Sequence, residues 1–396
     1  MTQRQASLHG VRILDLSRVL AGPWCTMTLG DLGADVIKIE NPKGGDDTRG
    51  WGPTFVEGES AYYLCANRNK RSVAVDMSTP EGQRTLRELV AHCDVVVENF
   101  KSGALQRYGL DYDSLREIRP DLIYCSISGY GRTSPLADRA GYDYVVQAEA
   151  GLMSITGEPD GEPMKVGVAV ADLFTGMYAV QAILAAIIAR KNDGQGQLID
   201  LALFDCQLAM LANVASAALV SGEEPQRFGN AHASVVPYQV LRTRSSEIVL
   251  AVGNDRQFRL LCEAVLERPE IAADPRYATN RARLDHRDTL IPILEEVLRT
   301  RDAAEWQQRL ASTGIPTGAV RTVGAALASP EAIARGMVTT VQHPKVGPLK
   351  LVASPIRMSG TPVREPSPPP LLGEHTDQVL QELRHHASAA LPQQSR

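Results

Sequence analysis

The sequence predicts an α/β protein with a Rossmann-like parallel sheet, and two features of its first 130 residues favour that class. Short runs rich in Val, Ile and Leu alternate with helical segments, as in strands buried on both faces of a parallel sheet. A helix start separates the third run from the fourth, because Thr79, Pro80 and Glu81 supply an N-cap, a first helical residue and an acidic first turn. The pattern therefore indicates βαβ units.

The predicted elements follow in chain order. Strands are expected at residues 11–16, 34–40, 72–76, 94–98, 122–127, 198–202 and 247–252. One long apolar helix is expected after Asp172 and another at 205–220. The apolar stretch 173–189 falls short of the roughly 20 residues of a membrane span, so we interpret it as a buried core helix. The polar segment 223–233 marks a boundary before a second region with several charged helices.

Composition limits the classes of function. The chain has 396 residues, 44% of them hydrophobic, and a net charge of −5, which is typical of a globular protein and provides no positive field for nucleic acid. The six cysteines are far apart and lack metal-ligand spacing, so we expect buried thiols, a reducing compartment and no metal. The first residues lack the apolar run of a signal peptide. We therefore expect a cytoplasmic protein without membrane or nucleic-acid partners.

Several common catalytic motifs are missing from the sequence. It contains no phosphate-binding P-loop, no G-x-S-x-G nucleophile elbow, no H-E-x-x-H and no G-x-G-x-x-G after the first strand. These absences argue against a P-loop nucleotide triphosphatase, a serine hydrolase, a zincin or an ordinary dinucleotide dehydrogenase.

Two segments are candidates for an anion site at the carboxyl edge of the sheet. Residues 18–24 turn from the first strand into a helix at Gly22 and Pro23, where ligands bind in such folds, although a plain turn would read the same way. Residues 67–71 concentrate three positive charges, and Lys101 and Arg107 follow the fourth strand. A solvated basic loop is the alternative, but basic groups recurring at strand ends suit a polyphosphate.

Asp172 is the candidate nucleophile. It is the one charged residue between Lys165 and Arg190. From the pattern alone it could be the N-cap of the apolar helix, held ionised by backbone N–H groups and the helix dipole. A carboxylate can also attack an activated carbonyl and carry an acyl group covalently.

Taken together, several stretches are specific to one family. They are AGP at 21–23, LGADVIKIE at 32–40, NRNKR at 67–71, VENF at 97–100, RAGYD at 139–143, Ala171-Asp172 with Gly176, GQGQ at 194–197 and PPLLG at 369–373. On these residues the chain resembles the family III CoA-transferases (CaiB/BaiF type, with formyl-CoA transferase) from about residue 10 to 376.

The resemblance implies a fold and a mechanism. It implies a large Rossmann-like domain of residues 1–222 and 326–396, a small α/β domain of 223–325, and an interlocked homodimer. It also implies that Asp172 forms acyl anhydride and CoA thioester intermediates while CoA, supplied as an acyl-CoA, moves to a carboxylic acid without a metal.

By position, the resemblance also implies a set of CoA contacts. They are Leu20, Ala21, Asn41, Val75, Asp76, Met77, Ser78, Asn99, Phe100, Lys101, Arg107, Arg139, Ala140, Gly141 and Tyr142. Leu20 and Asn41 depart from formyl-CoA transferase, which has glutamine and arginine there, and the glycine-run lid of that enzyme is absent. Its substrate specificity is therefore not transferred.

The acceptor and three alternatives remain open. GDDTR at 45–49, ITG at 155–157 and GNAHASVVPYQ at 229–239 resemble the succinyl-CoA:glutarate subgroup, which implies succinyl-CoA as donor and glutarate as acceptor, with itaconate or another dicarboxylate as an alternative. His232, Ser234 and Tyr238 are hypothesised to hold the distal carboxylate. An α-methylacyl-CoA racemase would have histidine where this chain has Tyr142. A non-catalytic CoA-binding protein would not need Asp172.

Overall fold

A computed structural model describes residues 5–389, with side chains described up to residue 385. The strands are β1 Arg12–Asp15, β2 Asp35–Glu40, β3 Phe55–Val56, β4 Glu59–Ser60, β5 Lys70–Ala74, β6 Val95–Glu98, β7 Ile123–Ser128, β8 Gln197–Ala202, β9 Tyr238–Arg242, β10 Glu247–Ala251, β11 Thr317–Ala319, β12 Val338–His343 and β13 Gly347–Val352. The α-helices are α1 Ala21–Asp31, α2 Ala61–Cys65, α3 Pro80–Val90, α4 Tyr112–Ile118, α5 Asp143–Glu149, α6 Val170–Asp193, α7 Leu203–Met210, α8 Ala212–Ser221, α9 Asp255–Leu260, α10 Pro269–Ala273, α11 Asn280–Asp285, α12 Arg287–Leu298, α13 Ala303–Ala311, α14 Val323–Leu327, α15 Pro330–Ala334 and α16 Thr376–Ala389.

The described chain divides into two compact units. The first holds the described residues up to 152, residues 165–222 and those from 330 onward, and the second holds residues 153–164 and 223–329. The predicted domains, 1–222 with 326–396 and 223–325, stay a prediction, and their ends at 1–4 and 390–396 lie outside the described residues.

The first unit is built on a six-stranded parallel sheet with the order β5-β2-β1-β6-β7-β8. Leu14 of β1 pairs with Ile37 on one side and with Val96 on the other. The predicted α/β class with a central parallel sheet is confirmed, and each predicted strand in this sheet overlaps an observed one. The third strand begins two residues earlier than predicted, at Lys70.

Successive side chains of β1 pack against helices on opposite faces of the sheet. Ile13 packs into one apolar core with residues of α1 and α6, and its neighbour Leu14 packs into a second core with residues of α3. Successive side chains of a strand point to opposite faces. The helix start predicted before α3 is confirmed, because the Thr79 side chain accepts a hydrogen bond from the backbone N–H of Gly82.

Helix α6 is buried on one face. By length and apolar composition it could span a membrane, and 44% of its most apolar stretch is buried. Ala179, Ile183 and Ile187 lie in the core of the first unit, whereas Ile188 is 63% exposed. The predicted core helix is therefore half buried in the single chain.

Two sequence-based expectations are wrong in this unit. The single helix predicted at 205–220 is two helices, α7 and α8, which meet at 78°. Ala212, at that bend, has a left-handed backbone with φ of 44°. The cysteines are buried as expected except Cys65, which is exposed.

The second unit has an antiparallel sheet with the order β11-β10-β9. The predicted strand 247–252 corresponds to its central strand, β10. Ile248 and Leu250 of that strand pack with Phe258, Leu294 and Trp306 in a separate apolar core.

Candidate active site

A cleft of about 370 Å³ opens at the carboxyl ends of β1, β6 and β7 in the first unit. The strand order reverses between β1 and β6, and ligands of open α/β sheets bind at such a switch point. The cleft is lined by Arg18, Val19, Ala21, Asp47, Asn99, Phe100, Lys101, Ala104, Ile127, Ser128, Gly129, Ala137, Arg139, Ala140, Gly141, Tyr142, Asp143, Asp172 and Leu203.

Segments that are far apart in the sequence meet in this cleft. The residues of the predicted site that line it are Ala21, Asn99, Phe100, Lys101, Arg139, Ala140, Gly141, Tyr142 and Asp172. The predicted nucleophile thus shares one cleft with eight of the fifteen predicted CoA contacts.

The other predicted CoA contacts do not line the cleft. Leu20 is buried next to it, with 6% of its surface exposed. Asn41 follows β2 and Val75, Asp76, Met77 and Ser78 follow β5, so they lie at the same edge of the sheet beyond β1. Arg107 lies after β6, with its guanidinium over the ring of Tyr108.

The basic segment 67–71 does not supply charge to the cleft. Arg68 pairs with Asp31, and Lys70 pairs with Asp15 where both side chains are fully buried. Arg71 pairs with Asp35 at 2.7 Å. The interpretation of this segment as part of a polyphosphate site is therefore wrong, because its charges are used in ion pairs within the first unit.

Asp172 lies in the first turn of α6 but does not cap it. The helix begins at Val170, and the carboxylate of Asp143 accepts hydrogen bonds from the backbone N–H groups of Ala171 and Asp172 at 2.8 and 3.3 Å. Asp143 also accepts a hydrogen bond from Gln147. The N-cap interpretation of Asp172 is therefore wrong, and Asp143 performs that role. Within residues 5–385, no hydrogen-bond partner is assigned to the Asp172 carboxylate, which faces the cleft.

The environment of Asp172 opposes its ionisation. Burial raises the pKa of Asp172 from its ordinary 3.8 to about 7, and the neighbouring Asp143 carboxylate adds to the rise. The sequence had suggested the opposite direction, since an N-capping carboxylate is stabilised in its charged form. A carboxylate with a raised pKa is a stronger base, and strongly perturbed groups in a cleft are typical of functional sites.

Close backbone approaches fix the walls of the cleft. A Cβ on Gly129 would lie 2.6 Å from the Cα of Gly141, so the end of β7 touches the segment that leads into α5. A Cβ on Gly176 would lie 2.7 Å from the carbonyl oxygen of Ala21, so α1 touches α6 one turn after Asp172. Glycine is needed at these positions because any side chain would separate the walls.

Three basic residues line the cleft. Arg18 pairs with Asp47 at 2.8 Å and lies over the ring of Phe100. Arg139 pairs with Glu149 at 2.7 Å, and its guanidinium lies over the ring of Tyr130. Both arginine side chains are 47% exposed, which leaves them accessible to an anionic ligand, together with Lys101.

Sequence reasoning missed several cleft residues. Asp143 belongs to the RAGYD stretch and Arg18 begins the segment 18–24, so both lay within segments singled out from the sequence without being assigned a role of their own. Asp47 belongs to the GDDTR stretch. Tyr62 is not among the residues that line the cleft and carried no sequence signal, but burial and the nearby charge of Asp172 raise its pKa to about 12.

The three predicted acceptor-site residues lie together in the second unit. The rings of His232 and Tyr238 stack with their centroids 5.1 Å apart. His232 Nδ1 accepts a hydrogen bond from the backbone N–H of Ser234 at 3.0 Å. Their proposed role with the acceptor stays a prediction.

Residues 8–376 match the sequence profile of CoA-transferase family III. The chain belongs to CoA-transferase family III. The succinate–glutarate CoA-transferase of Agrobacterium fabrum is 49% identical over 99% of both chains. The human succinyl-CoA:glutarate CoA-transferase is 45% identical over 97% of this chain and 87% of its own.

A solved structure of a CAIB/BAIF family protein from Brucella suis is similar, with a TM-score of 0.86 and 47% identity over 96% of this chain and 100% of that one. The family assignment made from sequence motifs is confirmed, as is the assignment of the chain to the CoA-transferases. Enzymes of this family act on CoA thioesters. Among the described residues no group of side chains is arranged to bind a metal ion.

Proposed function

We propose that this family III CoA-transferase moves CoA from succinyl-CoA to glutarate, with Asp172 as the nucleophile. The observation that carries the proposal is the Asp172 carboxylate, which faces a cleft that also holds Asn99, Lys101 and Arg139. The substrates are inferred from the relatives with 49% and 45% identity, whose names specify succinate or succinyl-CoA together with glutarate.

The proposed reaction balances without a metal or an oxidant. The Asp172 carboxylate attacks the thioester carbonyl and forms a C–O bond, the C–S bond breaks, and CoA leaves as a thiolate, so that an acyl-aspartyl anhydride remains on the enzyme. The thiolate then attacks the Asp172 carbonyl and releases succinate, which leaves an aspartyl-CoA thioester. The acceptor carboxylate displaces CoA to form a second anhydride, and the thiolate attacks its acyl carbon to give the new CoA thioester and free Asp172.

The charges of the cleft support this assignment. The attacking group must be unprotonated, and a pKa of about 7 leaves an appreciable carboxylate fraction at neutral pH with high basicity. Arg18, Lys101 and Arg139 supply positive charge for the phosphates or carboxylates of the substrates. Asn41 and the residues after β5 remain proposed CoA contacts, as a continuation of the site along the same edge of the sheet.

The cleft offers less support for racemase chemistry. Paired acid and base groups are needed to exchange an α-proton, and no histidine is among the described residues that line the cleft. Tyr142 occupies the position where the racemases have histidine, and 64% of its surface is exposed. The exchange assay described below therefore has to exclude a racemase and a non-catalytic CoA-binding protein.

We also propose that the enzyme is a cytoplasmic homodimer with interlocked subunits. Exposed apolar side chains of the first unit support an interface, among them Ile188 on α6 and Leu219 and Val220 on α8. A groove of about 530 Å³ between α1, α2 and β13 is also mainly apolar. Surfaces of this kind typically contact another protein chain.

The experiment that tests the function is a thioester exchange assay. Purified protein is incubated with succinyl-CoA and, separately, glutarate, itaconate or butyrate, and every CoA thioester is identified by mass spectrometry. We expect glutaryl-CoA, and little butyryl-CoA because butyrate lacks the second carboxylate. Hydroxylamine should trap the aspartyl intermediate on the peptide that contains Asp172. No exchanged thioester with any acid, or full turnover by Asp172→Ala, would contradict the proposal.

A further inference from the structure

Val19, in the wall of the cleft, has a strained backbone conformation. Its φ is 70°, in the left-handed region that β-branched residues rarely occupy. Val19 lies between β1 and α1 and lines the same cleft as Asp172. Strain of this kind persists only where the surrounding structure over-determines it, and it concentrates at functional sites.

Side chains from elsewhere in the first unit bind the backbone around Val19. Five consecutive polar groups have partners: Ser17 N–H donates to Asp15, and the Ser17 carbonyl accepts from Lys38 Nζ at 2.9 Å. Asn99 binds both the N–H and the carbonyl of Arg18, at 2.8 and 2.6 Å.

The fifth group is the N–H of Val19 itself, which donates to Asp46 Oδ1 at 3.2 Å. Asp46 Oδ2 in turn pairs with Lys38 Nζ at 2.9 Å, and both side chains are fully buried. One ammonium group therefore connects the carbonyl of Ser17 with the carboxylate that holds Val19. Removing one member of a buried ion pair is costly, because the other charge is then left without that partner.

The strained segment leads directly into α1, which packs against the helix that carries Asp172. Ala21 follows Val19 by two residues, and the Ala21 carbonyl lies against Gly176, one turn after Asp172. A relaxed Val19 would change the direction of the chain between Arg18 and Ala21 and thereby the wall that faces Asp172.

We infer that Asp46, supported by Lys38, is a positioning residue that holds Val19 in its left-handed conformation and so shapes the acyl-CoA site. The inference rests on the proposed function. Asp46 touches no reacting atom. Its effect is transmitted through the Val19 backbone, so a residue that adopts the same conformation without strain should make Asp46 dispensable.

The test is a double-mutant cycle with Asp46→Asn and Val19→Gly in the full-length chain. Glycine adopts positive φ without steric cost. We expect Asp46→Asn to lower kcat/KM for succinyl-CoA by about 10- to 100-fold in the wild-type background and by about threefold or less in the V19G background. Equal losses in both backgrounds would show that Asp46 acts in another way and overturn the inference.

A control variant and a binding measurement distinguish an effect through the Val19 backbone from other effects of Asp46→Asn. Asp46 also accepts hydrogen bonds from Thr48, so Thr48→Val serves as a variant that disturbs the 47–50 turn, and V19G should not rescue it. Calorimetric binding of succinyl-CoA, measured across the same cycle, does not depend on turnover. Binding without exchange would reject the proposed function and leave the inference testable through the dissociation constants.

A stability comparison covers the case in which Asp46→Asn does not fold. Val19→Ala and Val19→Gly both remove the two γ-methyl groups, but only glycine also lacks Cβ and so relieves a left-handed backbone. We expect V19G to unfold at a higher temperature than V19A. Equal melting temperatures, or a lower one for V19G, would mean that Val19 is not strained and would overturn the inference.

Discussion

At the scale of single residues, Asp172 shows how burial changes the carboxylate that we propose as the nucleophile. An exposed aspartate is ionised at neutral pH but is a weak base, whereas burial beside Asp143 raises the pKa of Asp172 to about 7. Asp143 can remain close because it is tied to the backbone N–H groups of Ala171 and Asp172. The same contacts that begin helix α6 therefore determine the reactivity of the group beside them.

This arrangement predicts the pH dependence of turnover. Because the carboxylate form of Asp172 is the proposed nucleophile, kcat/KM for succinyl-CoA should rise with pH and level off above about 7. Asp143→Asn removes a charge that raises this pKa, so the rise should move to lower pH. Asp47→Asn is the control, because Asp47 lines the cleft without contributing to the shift. Rate profiles measured between pH 5 and 9 provide the test, and coincident profiles for D143N and wild type would contradict it.

The raised pKa also predicts an effect on stability. The folded protein binds the Asp172 proton more tightly than the unfolded chain does, so this group's contribution to stability falls as pH rises from about 4 to about 7. The difference between 3.8 and about 7, at 1.36 kcal/mol per pH unit, amounts to up to about 4 kcal/mol.

Asp172→Asn should therefore raise the free energy of unfolding at pH 8 and raise it less at pH 5, while abolishing turnover. Urea unfolding at the two pH values measures the difference. Asp113→Asn is a suitable control because the Asp113 side chain is 79% exposed. An equal or negative change for D172N at the two pH values would be inconsistent with a raised pKa.

At the scale of elements, the sequence predicted the positions of strands better than the ion pairs that their side chains form. Each predicted strand of the parallel sheet overlaps an observed one, because continuous Val, Ile and Leu runs indicate burial on both faces. The break between α7 and α8 carries neither glycine nor proline, so local sequence could not indicate it. Arg68 and Lys70 looked like ligand-binding charges because their partners, Asp31 and Asp15, lie 37 and 55 residues away.

In the candidate site, too, sequence motifs identified residues but not the contacts between residues that are distant in the chain. Motif likeness selected Asp172 and eight of the cleft's lining residues, but the cap on α6 could not be read from the chain. Asp143 precedes Ala171 by 28 residues, and only the packing of α5 beside α6 brings its carboxylate to that backbone. The direction of the Asp172 pKa shift follows from burial and from the charge of Asp143 that this packing brings close, so sequence reasoning assigned it wrongly.

The contact between α1 and α6 yields a prediction for Gly176. Gly176→Ala would place a Cβ 2.7 Å from the Ala21 carbonyl, so the helices must move apart, at a cost of about 1–3 kcal/mol. Activity should fall as well, because Asp172 lies one turn away. Gly324→Ala in α14 is the matched control, since its Cβ would meet no atom within 4 Å. Thermal unfolding and the exchange assay compare the two, and equal effects would argue against the close approach.

At the scale of the whole molecule, exposed apolar surface is the feature that a single chain leaves unexplained. Leu219 and Val220 at the end of α8 are 87% and 86% exposed, and Ile188 on α6 is 63% exposed. Burying a side chain of this size stabilises an interface by about 1.5–3 kcal/mol. Ile188 on the helix that carries Asp172 is thus left exposed by the single chain, and the partner subunit of the proposed homodimer would cover it.

The proposed homodimer therefore predicts how mutations on these helices act. Analytical ultracentrifugation at micromolar concentration should give twice the chain mass of 42.9 kDa. Replacing both Ile188 and Leu219 by Glu should shift the protein towards monomers, because two charges would enter an apolar interface. Arg116→Glu, at an exposed position on α4, should leave the mass unchanged. A wild-type protein that sediments as a monomer would refute the dimer, and a variant pair that stays dimeric would place the interface on another surface.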